Sequence, residues 1–280
     1  MKDTVNEIHK DYLVMNGEFI TTKGFDPTEI TRTTSVYEVI RVIKGVPLFL
    51  EEHLKRLNKS INLLNFEFPI DVKDMEAQIH RLIDINRCYD YNVKIIVNNL
   101  ESVSPNIFIF FVASSYPSKD LYQRGVHTIL YTGERDNPNA KVVSKDFREQ
   151  VTDARKKANA YEALLVNKNQ QITEGSRSNV FFVKNNKVYT ASGEKVLMGI
   201  TRSRIIQLCK DLRIPLEETQ ISTEFLEECD GLFITGTSPK VLPIATVDEK
   251  SYDSINNPVI IQIKESYDAL IENYIASKNK

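Results

Sequence analysis

ITEGSRSNVFFV, residues 172–183, carries a single carboxylate, Glu174, into a Gly-Ser-Arg-Ser-Asn run that breaks into a strongly apolar strand. For an arbitrary protein the simplest reading is a turn between two strands with Glu174 in water. The flanking sequence argues for more. YEALLV (161–166), QITEG (171–175), NVFFV (179–183) and KVYTA (187–191) are short, apolar and β-branched, and together predict a dense antiparallel set. Glu174 therefore borders a segment that reads as buried core, where a lone charge is costly without a partner.

Further C-terminal, GITRSRIIQLCKDL (199–212) predicts a helix entered through Gly199, with Ile205, Leu208, Cys209 and Leu212 on its apolar face. GLFITGTSPKVLPIATV (231–247) reads as strand, tight loop, strand, and residues 258–276 as an amphipathic closing helix. Toward the N-terminus, YLVMNGEFI (12–20) is a hairpin around Asn16-Gly17, and SVYEVIRVIKGVPLFL (35–50) repeats the pattern at Lys44-Gly45. EEHLKRLNKSINLL (51–64) switches to helical period with Leu54, Leu57, Ile61 and Leu64 in one stripe; YNVKIIVNN (91–99) and NIFIFFVASSY (106–116) are strands. SSYPSKDLYQRG (114–125) is the best linker candidate, VHTILYT (126–132) a strand, GERDNPNAK (133–141) irregular, and DFREQVTDARKKA (146–158) a charged helix. The expected architecture is α+β: a small N-terminal α/β domain over 1–116 and a larger β-rich domain over 117–280.

The bulk properties exclude several function classes. With 280 residues, 41% hydrophobic and 26% charged, the chain supports a proper globular core. A net charge of -2, without a basic block, gives no electrostatic case for nucleic acid. No apolar run approaches a membrane span, and the N-terminal sequence lacks the apolar core of a signal peptide. Cys88, Cys209 and Cys229 are odd in number and widely spaced, which fits a reducing, cytoplasmic compartment. Four scattered histidines argue against a metal site.

Two stretches are suited to anions. Gly199-Ile200-Thr201 opens a helix, where unpaired backbone N–H groups and the positive dipole end attract negative charge. TGTSP (235–239) is a small-residue loop straight after an apolar strand. Arg56 offers a planar, two-pronged contact to a phosphate, although an isolated helix arginine is usually solvated.

TSVYEVIRV, EEHLKRLNKS, YEALLV, ITEGSRSNVFFV, VLMGITR and FITGTSPKVLPI, in that order between Thr34 and Ile244, resemble the fold-type IV pyridoxal-phosphate enzymes. That family comprises branched-chain aminotransferases, D-amino-acid aminotransferases and aminodeoxychorismate lyases. The resemblance implies that Glu174 bonds the pyridine nitrogen of pyridoxal 5'-phosphate. It implies that Arg56, Ile200, Thr201, Gly236 and Thr237 hold the phosphate. The family lysine lies twenty positions ahead of the residue that is Tyr161 here, and the count falls on Lys141. Ser144 stands where the family usually has asparagine, so Lys145 stays an alternative. A cofactor-linked lysine serves as both base and acid in this chemistry.

For substrate, the Arg-x-His pair of the D-amino-acid enzymes is replaced by Asn98 and Leu100, which disfavours a D-amino acid. The Tyr-x-Arg of the branched-chain enzymes is replaced by Asn92 and Lys94, leaving Lys94 as a point-charge anchor. Tyr37 and Glu38 resemble the aminotransferases, and Arg41, on the same strand face as Tyr37, is a further carboxylate candidate. The expected activity is an aminotransferase acting on an L-amino acid, apolar or branched-chain, and a 2-oxo acid. A lyase releasing pyruvate and 4-aminobenzoate, or an inactive relative, is the alternative. A homodimer is implied by the family.

Overall fold

The protein is described from a computed structural model covering residues 7–31, 33–135, 138–142 and 145–279. The chain divides into two compact units, Met1–Ser115 with Ala140–Val143 and Asn273–Lys280, and Tyr116–Asn139 with Ser144–Glu272. The α+β class read from the sequence is what the chain adopts. Among the described residues, no helix is long and apolar enough to cross a membrane.

The first unit is built on an antiparallel sheet with strand order β2-β1-β6-β5-β3-β4. Its strands are β1 (Tyr12–Met15), β2 (Glu18–Thr21), β3 (Ser35–Ile43), β4 (Val46–Pro47), β5 (Tyr91–Asn98) and β6 (Asn106–Val112). Both hairpin turns fall where the sequence puts them: Asn16 and Lys44 each have φ 51°, and a glycine follows each. Helix α1 (Leu50–Leu63) buries Leu54, Leu57 and Ile61 completely. Helix α2 (Val72–Asn86) buries Met75, Ile79, Leu82 and Ile83 and is capped by Asp71, whose side chain accepts from the Lys73 and Asp74 amides. These stripes and Val36, Ile40, Val42, Val93, Ile95 and Val97 form one core, each fully buried apolar side chain contributing about 1.5–3 kcal/mol. A smaller cluster, including Tyr37, Ile96, Phe108 and Phe110, covers the opposite face.

β4 pairs only with the end of β3, at Val42 and Ile43. Along the rest of that edge the Tyr37 amide donates to the Lys141 carbonyl at 3.0 Å, and Val36 bridges Val142. Residues 140–142 are thus tied to β3, which is why Ala140–Val143 groups with the first unit, although a boundary at 116/117 assigns it to the second. The final residues join the same unit through Tyr274, whose hydroxyl donates to Glu51 at 3.1 Å.

The second unit contains α3 (Lys119–Arg124), β7 (Val126–Thr132), α4 (Lys145–Lys157), β8 (Glu162–Val166), β9 (Gln171–Gly175), β10 (Asn179–Lys184), β11 (Lys187–Ala191), α5 (Ile200–Asp211), β12 (Leu216–Thr219), β13 (Ile221–Ser222), β14 (Gly231–Gly236), β15 (Lys240–Val247), β16 (Lys250–Ser251) and most of α6 (Pro258–Lys278). Its sheet runs β12-β11-β10-β14-β15-β7-β8-β9-β13, with β16 paired to β15. The four strands expected as one antiparallel set, β8 to β11, form two antiparallel pairs that are not adjacent in the sheet. β8–β9 and β10–β11 are antiparallel, but β9 pairs with β13 rather than β10. β7–β8 and β11–β12 are parallel, each pair joined through a helix, α4 or α5, as a parallel connection requires. Val180, Phe182, Leu232, Ile234, Leu242 and Ile244 fill one face, and on the other Phe181 stacks on Phe233 with centroids 5.0 Å apart.

Candidate active site

In the first unit the side chains gather around Glu38, which is completely buried. Its Oε1 accepts from Arg56 Nε at 2.7 Å, and its Oε2 from Arg56 Nη2 at 2.6 Å and His53 Nδ1 at 2.7 Å. Lys141 Nζ lies 3.6 Å from the same Oε2. His53 and Arg56 are three positions apart on α1, so both reach the sheet from one helix face. Burial raises the Glu38 carboxyl, but the charges of Arg56 and Lys141 and the hydrogen bonds from Arg56 and His53 outweigh it and hold it well below the usual carboxylate range. Burial pushes His53 down to about 4 against the pull of Glu38, so the ring is neutral at pH 7 and Nδ1–H donates to the carboxylate.

Tyr37, next on β3, has two ammonium groups near its ring, Lys141 Nζ at 5.2 Å and Lys94 Nζ at 5.0 Å from the centroid. Lys94 is buried and ion-paired with Glu7. Arg41 pairs in register with Asn92 and shares the Tyr37 face. Asn98 turns its amide to the carbonyls of Glu29 and Ile30 at 2.7 and 3.0 Å, and Leu100 is buried in the core. Neither supplies a charge to bind an anion. Ser144 lies outside the described residues, as does the side chain of Lys145.

In the second unit the carboxylate of Glu174 is buried at the end of β9. Arg135 binds its Oε1 through Nε at 2.9 Å and Nη2 at 2.5 Å, while the Leu197 amide donates to Oε2 at 3.0 Å. Burial raises the Glu174 carboxyl and Glu162 adds to the rise; Arg135 and the Leu197 amide oppose them, and the net shift is upward. Leu197 also accepts from Asn179 Nδ2 at 2.9 Å, so the loop before α5 is held from two sides.

That loop delivers Gly199 as the N-cap of α5, with no side-chain cap, leaving the first amides of the helix, Ile200 and Thr201 among them, to an external acceptor. A Cβ on Gly199 would stand 2.2 Å from Asn179 Oδ1. Asn179 pairs in register with Thr235, whose hydroxyl is buried with no hydrogen-bond partner among the described residues. Thr201 Oγ1 accepts from Tyr267 at 3.4 Å. Gly236 and Thr237 follow at the β14–β15 turn, steadied by the Tyr122 hydroxyl on the Pro239 carbonyl at 2.9 Å. Uncapped first-turn amides, small residues and hydroxyls are features that suit a helix start to an anion.

Residues 35–247 match the family model for amino-transferase class IV. The chain belongs to this family. This class IV aminotransferase is 28% identical to the D-alanine aminotransferase of Bacillus licheniformis over 230 residues, 78% of this chain and 81% of that one. It is 27% identical to a probable branched-chain-amino-acid aminotransferase of Rickettsia bellii over 278 residues, 94% of each chain. Among solved structures, the PLP-form branched-chain aminotransferase of Thermobaculum terrenum superposes with a TM-score of 0.82 at 21% identity, covering 96% of both chains, which establishes the shared fold.

The aminotransferase thus gathers its sequence-read residues in two groups, Tyr37, Arg41, Arg56, Lys94 and Lys141 in the first unit and Glu174, Ile200, Thr201, Gly236 and Thr237 in the second. Three polar residues beside them, His53, Arg135 and Tyr267, were not singled out by the sequence. His53 was findable, because it sits one helical turn before Arg56. Arg135 and Tyr267 carry no local signal; only the fold brings them to Glu174 and Thr201.

Proposed function

We propose that this aminotransferase uses pyridoxal 5'-phosphate to move an amino group between an apolar L-amino acid and a 2-oxo acid, with Lys141 as the working amine. The observation that carries the reading is the setting of Lys141. Its side chain is only 11% exposed, with the ammonium 3.6 Å from a buried carboxylate and near the Tyr37 ring, whereas a surface lysine points into water. The donor set fits the cofactor: uncapped α5 amides and the Thr235 hydroxyl suit its phosphate, and buried Glu174 suits a protonated ring nitrogen. When bound, the cofactor supplies an electron sink at the substrate α-carbon and carries the amino group from donor to acceptor.

The protein's own groups do the rest. Lys141 Nζ takes the α-proton and returns it, and Glu38 favours the protonated form after each transfer. In the first unit Arg56 is the phosphate ligand that the family resemblance implies, its Nε and Nη2 held by Glu38; in the second, Ile200, Thr201, Gly236 and Thr237 are the phosphate ligands that it implies. Tyr37, Lys94 and Arg41 share the face assigned to substrate, and Lys94 trades its Glu7 partner for the substrate carboxylate. Asn98 and Leu100, tied into the fold as they are, support an L- over a D-amino acid. The family resemblance supports a homodimer, and three free cysteines support a reducing, cytoplasmic setting.

The test is reduction of the cofactor-loaded protein with borohydride followed by peptide mapping, run alongside exchange between L-leucine or L-glutamate and 2-oxo acids. The tag is expected on Lys141, with amino exchange. A tag on Lys145 reassigns the amine, failure to take up the cofactor removes the reading, and release of pyruvate from aminodeoxychorismate without exchange replaces it with a lyase.

A further inference from the structure

The two oxygens of Glu174 are occupied unequally. A carboxylate oxygen has two lone-pair directions. Oε1 accepts both Nε–H and Nη2–H of Arg135, so it is full; Oε2 accepts the Leu197 amide and keeps one acceptor direction. The guanidinium has an anchor of its own, since Nη2 also donates to the Pro138 carbonyl at 3.1 Å.

The surroundings push Glu174 toward its neutral form. It is buried, and a second carboxylate, Glu162, acts on it. Glu162 itself accepts from Ser176 Oγ at 2.5 Å, Ser178 Oγ at 2.9 Å and the amides of Ala163 and Arg177 at 2.9 and 3.3 Å. Opposing these are the Leu197 amide and the guanidinium, which is the cation acting on Glu174 among the described residues. Neutral Glu174 would offer an O–H and lose its attraction for a protonated ring nitrogen.

We propose that Arg135 is a positioning residue of this aminotransferase: by saturating Oε1 it keeps Glu174 a carboxylate and leaves the open direction of Oε2 as the acceptor for the cofactor's ring N–H. The proposal rests on the reading above that Glu174 serves the pyridine nitrogen. Arg135 touches neither substrate nor reacting atoms; it sets the charge and the aim of the group that does. A lysine in its place keeps a charge but not the fork.

The test uses two variants, Arg135→Gln and Arg135→Lys, and two measurements. In the apoprotein labelled with 13C-carboxyl glutamate, the Glu174 resonance is assigned by its loss in Glu174→Gln and followed against pH. Arg135→Gln is expected to raise its midpoint by about one unit or more, a roughly tenfold change in the protonation ratio, and Arg135→Lys by less. In the holoenzyme Arg135→Gln is expected to lower kcat roughly tenfold with KM for the amino donor little changed, and Arg135→Lys to fall in between. An Arg135→Gln midpoint equal to wild type overturns the control of charge; if that variant does not fold, an Arg135→Lys midpoint and kcat both equal to wild type overturn the proposal. Failure of wild-type protein to take up pyridoxal phosphate would sink the cofactor reading, while the apoprotein titration still decides whether Arg135 governs Glu174.

Discussion

Replacing His53 with asparagine removes a titrating group while keeping an N–H donor in reach of Glu38. In the folded chain burial brings His53 down to about 4 from an ordinary value of 6.5. The unfolded chain therefore takes up this proton first as pH falls, and the imbalance lowers stability through the interval between the two values, with the full stability present above 6.5. Worked through the linkage relation, the wild type loses about 2 kcal/mol from this group by about pH 5 and about 3 kcal/mol by about pH 4. His53→Asn loses none of it. The chain has no tryptophan, so urea unfolding is best followed by circular dichroism, on both proteins at about pH 7.5, 6, 5 and 4. The difference between the two stabilities isolates the imidazole, because every other group is shared. It should move by about 2–3 kcal/mol in favour of the variant on acidification. A difference constant within about 0.5 kcal/mol would show that the ring titrates in the fold as it does in the unfolded chain, and one moving in favour of the wild type that the folded ring is held charged; either would force the account of the Glu38 cluster to be abandoned.

Glu38→Gln should cost about 3–5 kcal/mol near neutral pH by leaving Arg56 and Lys141 without their counter-charge. Because the native carboxyl titrates far below its unfolded value, that cost should shrink as pH falls below about 4.5, measured by the same unfolding curves. Lys94→Met should raise KM for the amino donor roughly tenfold to a hundredfold, the worth of one hydrogen bond to a charged group, with a smaller change in kcat in steady-state kinetics. Gly199→Ala drives a methyl group into Asn179 Oδ1, 2.2 Å away; a stability loss of about 1–3 kcal/mol and weaker uptake of pyridoxal phosphate are expected, by thermal melting and absorbance titration.

Local chemistry was the legible part of this chain. Positive φ at Asn16 and Lys44, the 54/57/61 stripe of α1 and the glycine entry to α5 are each decided within a few residues, so composition and spacing expose them. Helix α2 was passed over although its signals are equally local, an aspartate N-cap and apolar residues at 75, 79, 82 and 83; the charged residues between them masked the period. Strand pairing was harder. Whether β9 joins β10 or β13 is settled by burial over the whole sheet, and a run such as ITEG looks the same in either case. Partnerships across long separations were out of reach: Arg135 and Glu174 stand 39 positions apart, and a salt bridge buried at that range leaves no periodic trace. Glu174 itself was visible because a carboxylate entering an apolar run is anomalous on its own.

The short backbone splice that fastens residues 140–142 along the rim of β3 does two jobs at once. It blunts a row of hydrogen-bonding groups that would otherwise invite a foreign strand, and it carries Lys141. A deletion in the 133–139 loop that pulled the splice away would uncover the rim and displace the amine in one event. Damage there should therefore surface as precipitation together with inactivity, and a soluble but silent protein would point to injury elsewhere.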